Sequence, residues 1–297
     1  MISFFDFAST KKTILFDGAT GSTLLSEDNS VILPDILSLK RPGIVLALHE
    51  EYLEAGCDVV ETNSFNSNPL VFESFGLKKS ASECAKISAI LAKKAANKFS
   101  TAEKPRFVAG SIGPVFNKNC SLQQDETLLF EAYSIQITAL LEGGADLLIF
   151  ETIQDIIQLN SALAAAKEIN RNIPLIVSLS GKNGKTHTGT SFEEIVSEIS
   201  KYDLFALGLN CEDFAETAKD AEIIQKILPF PLSLMPNLGL PEKINGKFVY
   251  KTTPAEFAEK MSELVQKFNP KIIGGCCGTT PEHLKKLADN LNLTFCF

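Results

Sequence analysis

The stretch ETLLFEAYSIQITALLEGGADLLIFET, residues 126–152, decides the fold. Its first part, 126–144, repeats apolar residues with a period near 3.6 and stops at two glycines, which predicts a helix. DLLIF (146–150) then follows as an unbroken apolar run rather than an alternating one. Such a run suits a strand covered on both faces. A helix feeding a doubly covered strand is half of a βαβ unit.

The same rhythm runs through the chain. TILF (13–16), CDVVE (57–61), RFVAG (106–110), PLIVSLS (174–180), FALGLN (205–210), PLSLM (231–235) and KIIGG (271–275) supply seven more apolar runs. Helical stretches such as SASECAKISAILAKKAANKF (80–99) lie between them. Ser191 with Glu194 and Thr253 with Glu256 fit the capping box, and Pro254 stands at a first helical position. Eight strand–helix units in 297 residues predict an α/β chain folded as a single (β/α)8 TIM barrel, one domain over 1–297. An open doubly wound sheet is the competing arrangement, but its G-x-G-x-x-G turn is missing after the first strand.

Bulk properties narrow the function classes. The net charge is −8 with Lys and Arg scattered, which disfavours a nucleic-acid partner. No apolar run approaches the roughly 18 to 20 residues of a membrane span, and MISFFDFASTKK does not read as a signal peptide. Seven cysteines, an odd number, point to free or metal-bound thiols in a reducing, cytoplasmic setting.

Barrel enzymes build their sites at the C-terminal strand ends. Polar and sulfur residues collect there: Asp17-Gly18-Ala19, Glu61-Thr62-Asn63, Ser111, Glu151-Thr152, Ser178 and Ser180, Asn210-Cys211, and Cys276-Cys277. In a barrel, the ends of strands six and eight share one rim, so Cys211, Cys276 and Cys277 can converge on one ion. Neighbouring residues of a regular strand point to opposite faces, so the adjacent pair converges only where the backbone leaves that geometry. Gly274, Gly275 and Gly278 supply the freedom. Soft thiolates select zinc, and three protein ligands with a fourth position open is a catalytic arrangement. A phosphate site on the glycine-rich loop would explain the glycines but not the cysteines. Cys57, Cys84, Cys120 and Cys296 read as core residues, His49 as structural, His187 as a loop residue and His283 as a helix-start residue.

The strand-end carboxylates Asp17 and Glu151 are placed to hold the ammonium of an amino-acid substrate. Backbone N–H groups of Gly18 and Ala19, with Thr62 or Asn63, are candidates for its carboxylate.

DGATGS (17–22), ETNSFNSNP (61–69), GSIGP (110–114), LLIFET (147–152), GLNC (208–211), PNLGLP (236–241) and GGCCGTTPEH (274–283), in this order, resemble the homocysteine S-methyltransferase family from about residue 12 to 291. Within it, KPRFVAGSIGP, PNLGLP and GGCCGTTPEH are most similar to the branch formed by the N-terminal homocysteine-binding module of cobalamin-dependent methionine synthase. The resemblance implies a zinc-activated homocysteine thiolate that attacks a methyl group and yields methionine. It also implies methylcobalamin as the methyl source, on a corrinoid protein or on a folate/cobalamin module, since this sequence carries no second barrel and no D-x-H-x-x-G. S-methylmethionine or betaine as donor, and a non-catalytic zinc or thiol sensor, are the competing expectations.

Overall fold

All eight apolar runs form parallel strands: β1 (Ile14–Leu15), β2 (Val59–Glu61), β3 (Phe107–Ile112), β4 (Leu147–Ile153), β5 (Leu175–Leu179), β6 (Ala206–Asn210), β7 (Leu232–Met235) and β8 (Ile272–Ile273). The computed structural model describes residues 2–293 except 29, 78–79, 120, 240–241 and 245–246. Cys120 and Cys296 therefore lie outside the described residues. The strands are ordered β1-β8-β7-β6-β5-β4-β3-β2, and a parallel bridge from Phe16 to Val59 closes the ring. Every strand is followed by a helix, as the right-handed crossover of a parallel sheet requires.

The local signals explain the helix bounds. The helix expected over 126–144 occupies Glu126–Glu142, with Asp125 accepting from the N–H groups of Thr127 and Leu128 at its start. Gly144, at φ 99°, turns the chain out at its end. Ala81–Phe99 matches the expectation for 80–99 within one residue. Thr253 and Glu256 form a complete capping box with Pro254 at the first position, whereas Ser191 supplies its half by accepting from Glu194 N–H.

Strand alternation divides the apolar residues into two cores. Leu15, Val60, Val108, Leu148, Val177, Leu207, Leu234 and Ile273 face the surrounding helices. Ile14, Phe16, Val59, Phe107, Ala109, Leu147, Ile149, Ile176, Ala206 and Ile272 fill the barrel. A short helix, Phe4–Thr10, inserts Phe4 and Phe7 into the lower end, and Phe4 packs edge-on against Phe107 with ring centres 5.4 Å apart. Full burial of such a phenylalanine stabilises by about 1.5–3 kcal/mol. Further up, the same inward rows continue as Glu61, Ser111, Glu151, Ser178 and Asn210. The interior thus grades from apolar at the plugged end to polar at the strand C-termini.

His49, Cys57 and Cys84 are fully buried. Burial pushes His49 down to about 4, which keeps the ring neutral and marks it as a core residue. Among the described residues, no helix is long and apolar enough to cross a membrane.

Candidate functional site

The polar end of the barrel opens into a cavity of about 280 Å³. Cys211, Cys276 and Cys277 line one side of it, and their sulfurs lie within 4.8 Å of one another. The Cys211 and Cys277 sulfurs are 3.7 Å apart. Sulfurs about 2.3 Å from one tetrahedral ion stand about 3.8 Å apart, so the thiol set fits a zinc ion with its fourth position facing the cavity.

Backbone geometry brings the three thiols together. Cys211 leaves β6 in the left-handed region at φ 63°, and Gly278 adopts φ 86° just after the cysteine pair. A Cβ on Gly275 would stand 2.4 Å from Thr279 Oγ1, so this position needs glycine to let the loop fold over Thr279. Bonds from Cys211 and Cys276 hold Cys277 down to about 3, while Cys276 is driven well above its ordinary range by the same contacts and by burial. For Cys211 the bond with Cys276 lowers the value, but contact with Cys277 and burial carry it to about 12. A divalent ion would ionise all three.

Glu151 reaches the cavity through an irregularity. The register between β4 and β5 shifts between Phe150 and Ile153, and Thr152 takes φ 58°, a region a β-branched side chain seldom occupies. Asn210 holds that bulge: its Oδ1 accepts from Thr152 N–H at 2.9 Å and its Nδ2 donates to Thr152 Oγ1 at 2.9 Å. The same Nδ2 lies 3.4 Å from Glu151 Oε2 and 3.9 Å from Cys276 Sγ, linking carboxylate and thiol. Ser111 Oγ donates to the other Glu151 oxygen. Burial pushes Glu151 up to about 7 against the lowering effect of its bonds with Ser111 and Glu61.

Gly18, Ala19, Thr62, Asn63, Glu151 and the three cysteines all line the cavity. Asp17 does not. Ile14 and Phe16 point into the barrel and Leu15 toward the helices, and Asp17 follows just past the strand end. Asp17 is buried there, with Oδ2 accepting from Glu61 N–H at 3.0 Å and Oδ1 unpartnered. Burial and the Glu151 charge raise it well above the usual carboxylate range, against the lowering bond from Glu61.

Several expected donors are already engaged. Ala19 N–H donates to Thr279 Oγ1 at 3.0 Å, so it is not free for a ligand. Thr62 N–H donates to Ala109 O at 2.9 Å, and Asn63 Nδ2 donates to Pro34 O and Ser38 Oγ at 3.0 and 3.1 Å. The helix Thr20–Glu27 instead starts at the cavity wall with Ala19 as an N-cap that offers no side-chain acceptor. First-turn N–H groups have no partner within their helix, so Thr20, Gly21 and Ser22 form an anion-binding end. Sequence reasoning placed Glu61 at the mouth without giving it a role, and it gave none to Thr20, Gly21, Ser22 or Asp35; Glu61 and Asp35 line the cavity too. Glu61 was open to discovery by counting two residues on from Val59. Asp35 was not, because its partners Asn66 and Ser67 come from another loop.

Thr279 joins the metal-side loop to the β1 loop. Its Oγ1 donates to Cys276 O at 2.7 Å and accepts from Ala19 N–H, and its carbonyl accepts from Tyr52 Oη at 3.0 Å. Thr279→Val keeps the shape and removes both hydroxyl bonds. Zinc affinity, measured by competition with a chromogenic chelator, is expected to fall by roughly 10- to 100-fold, the effect of losing an outer-shell partner, and Thr279→Ser should restore it. Equal affinities in all three proteins would exclude this role.

The geometry has counterparts among known proteins. A family model described as homocysteine S-methyltransferase matches residues 14–291. Methionine synthase from Mycobacterium leprae is 29% identical over 293 residues, an alignment that covers 94% of this chain and 24% of that protein. The chain therefore spans about a quarter of that relative's length. Among solved structures, the homocysteine methyltransferase MmuM from Escherichia coli superposes in its metallated form with a TM-score of 0.79 at 22% identity, covering 96% of this chain and 98% of that one. Its apo form gives 0.74 at 23% identity, covering 97% and 98%. At that identity the likeness concerns the barrel fold.

Proposed function

Since the chain belongs to the homocysteine S-methyltransferase family and is a methyltransferase barrel, we propose that it holds L-homocysteine in the mouth cavity and offers its sulfur to an electrophilic methyl group, yielding methionine. The observation that carries this reading is the set of three thiols within 4.8 Å of one another, beside a buried carboxylate in one cavity. Cys211, Cys276 and Cys277 would hold zinc, a Lewis acid able to keep a substrate thiol ionised at neutral pH.

The remaining roles fall to the chain's own groups. Glu151, aimed by Ser111 and Asn210, takes the substrate ammonium. The first-turn N–H groups at Thr20 to Ser22, beside Gly18 and Ala19, receive its carboxylate. Thr62 and Asn63 shape the adjoining wall, and Asp17 acts at one remove by fixing Glu61 N–H. Held at both ends of its amino-acid moiety, the substrate keeps its sulfur in one place, and in-line displacement gains from that fixed approach.

Residues 1–297 would act as one homocysteine-binding barrel in the cytoplasm. The methyl group would come from methylcobalamin on a separate corrinoid protein or on a folate/cobalamin module, a reading favoured by the match to a methionine synthase about four times longer than the aligned segment. Zinc-edge X-ray absorption on the purified chain tests the core of the proposal. The expected result is a shell of three sulfurs and one lighter atom that becomes four sulfurs when homocysteine is added. A shell that ignores homocysteine would remove the thiol from the metal and the proposal with it.

A further inference from the structure

We propose that Glu61 grips the substrate's α-ammonium together with Glu151, and thereby makes the site select thiols that carry a free amine. This rests on the homocysteine reading above and gives a role to Glu61 that the sequence reading did not assign.

Four observations carry it. Alternation from Val59 turns Glu61 inward, and it lines the cavity. Its main chain is fixed, because Glu61 N–H donates to the buried Asp17 Oδ2 at 3.0 Å. Its carboxyl meets that of Glu151. No lysine, arginine or histidine lines the cavity, and neither Glu61 nor Glu151 takes part in an ion pair among the described residues.

Two carboxyl groups that meet in a poorly solvated place cannot both ionise unless a cation joins them. Burial, with the Glu151 and Asp17 charges, accordingly raises Glu61 far above the usual carboxylate range. No basic side chain lines the cavity, so a cationic group on the ligand is the partner that would let both carboxyls ionise. An ammonium between the two groups satisfies both at once. A thiol acid without an amine instead leaves the pair with a shared proton and gains nothing from either carboxyl.

The test compares two probes by calorimetry on zinc-loaded protein: L-homocysteine and 4-mercaptobutanoate, which is the same molecule without its amine. Glu61→Gln is expected to weaken homocysteine at least about tenfold, the scale of one hydrogen bond to a charged group, while 4-mercaptobutanoate stays within about twofold. Zinc content equal to wild type certifies the barrel. Glu61→Asp, which keeps the charge but withdraws it by one methylene, should fall between wild type and Gln. Unchanged homocysteine affinity in Glu61→Gln, or an equal loss for both probes, overturns the proposal. Failure of the underlying reading looks different: neither thiol would then bind the wild-type protein.

Discussion

Cys211→Ala is expected to abolish metal retention and methyl transfer together while leaving a folded barrel. The residue sits at the mouth, outside both apolar cores, so truncating its side chain opens no interior cavity. Alanine carries the same Cβ as the cysteine already at φ 63°, so the substitution adds no new backbone strain. The metal side is different. Two neighbouring thiols, Cys276 and Cys277, remain as ligands on one short loop, and zinc affinity should drop by far more than the roughly 100-fold that an outer-shell change can cost. Transfer of a methyl group to homocysteine should fall by about three orders of magnitude or more, the scale of removing a group that stabilises reacting charge. Metal analysis and a single-turnover assay check the two halves separately. Full zinc stoichiometry in the variant would rule out the three-thiolate assignment.

Glu151→Ala is the second large effect, and it should strike the substrate while sparing the metal. The variant removes a carboxyl that Ser111 Oγ and Asn210 Nδ2 are arranged around, and Ser111 Oγ is left without this acceptor. Losing one member of such a charged pair costs about 2–5 kcal/mol, so homocysteine should bind roughly 30- to 4,000-fold more weakly with zinc content unchanged. Unaltered affinity would take Glu151 out of the site.

The raised value of Glu151, about 7, gives this assignment a pH signature. Below pH 7 the carboxyl of the empty protein is protonated, and an arriving ammonium meets a neutral acid. Affinity attributable to Glu151 should therefore fall by about tenfold per pH unit under 7, and that slope should vanish in Glu151→Gln. Stability runs the other way. A carboxyl raised above its ordinary 4.5 binds its proton more tightly in the folded chain, so its contribution is complete below 4.5 and is lost as pH rises through 7. The same group is thus a strain on the empty barrel at the pH where it serves the ligand.

Most of the architecture was legible because strands covered on both faces leave unbroken apolar runs, and all eight runs became barrel strands. Helix ends were legible where a cap residue announced them, as at Thr253 and Gly144. Side-chain direction was less accessible. In a doubly buried strand both faces are apolar, so the sequence hides which residues point inward, and Asp17 is not among those that line the cavity. Long-range contacts were beyond reach altogether. Ala19 N–H is engaged by a threonine 260 positions away, and no local pattern announces such a partner. The thiols were readable for the opposite reason: cysteine, glycine and strand-end position coincide too specifically for a packing role to explain them.

The helix Phe4–Thr10 stoppers the lower end of the barrel, so the cavity among the described residues opens at the opposite, polar end. On the proposed reading, amino acid, methyl group and finished product would cross the same threshold, so their visits would have to alternate. A bulky donor seated over the doorway also shuts in the molecule it has just completed, and the exit of one waits on the retreat of the other. The pace of such a barrel is then a matter of queueing as much as of chemistry.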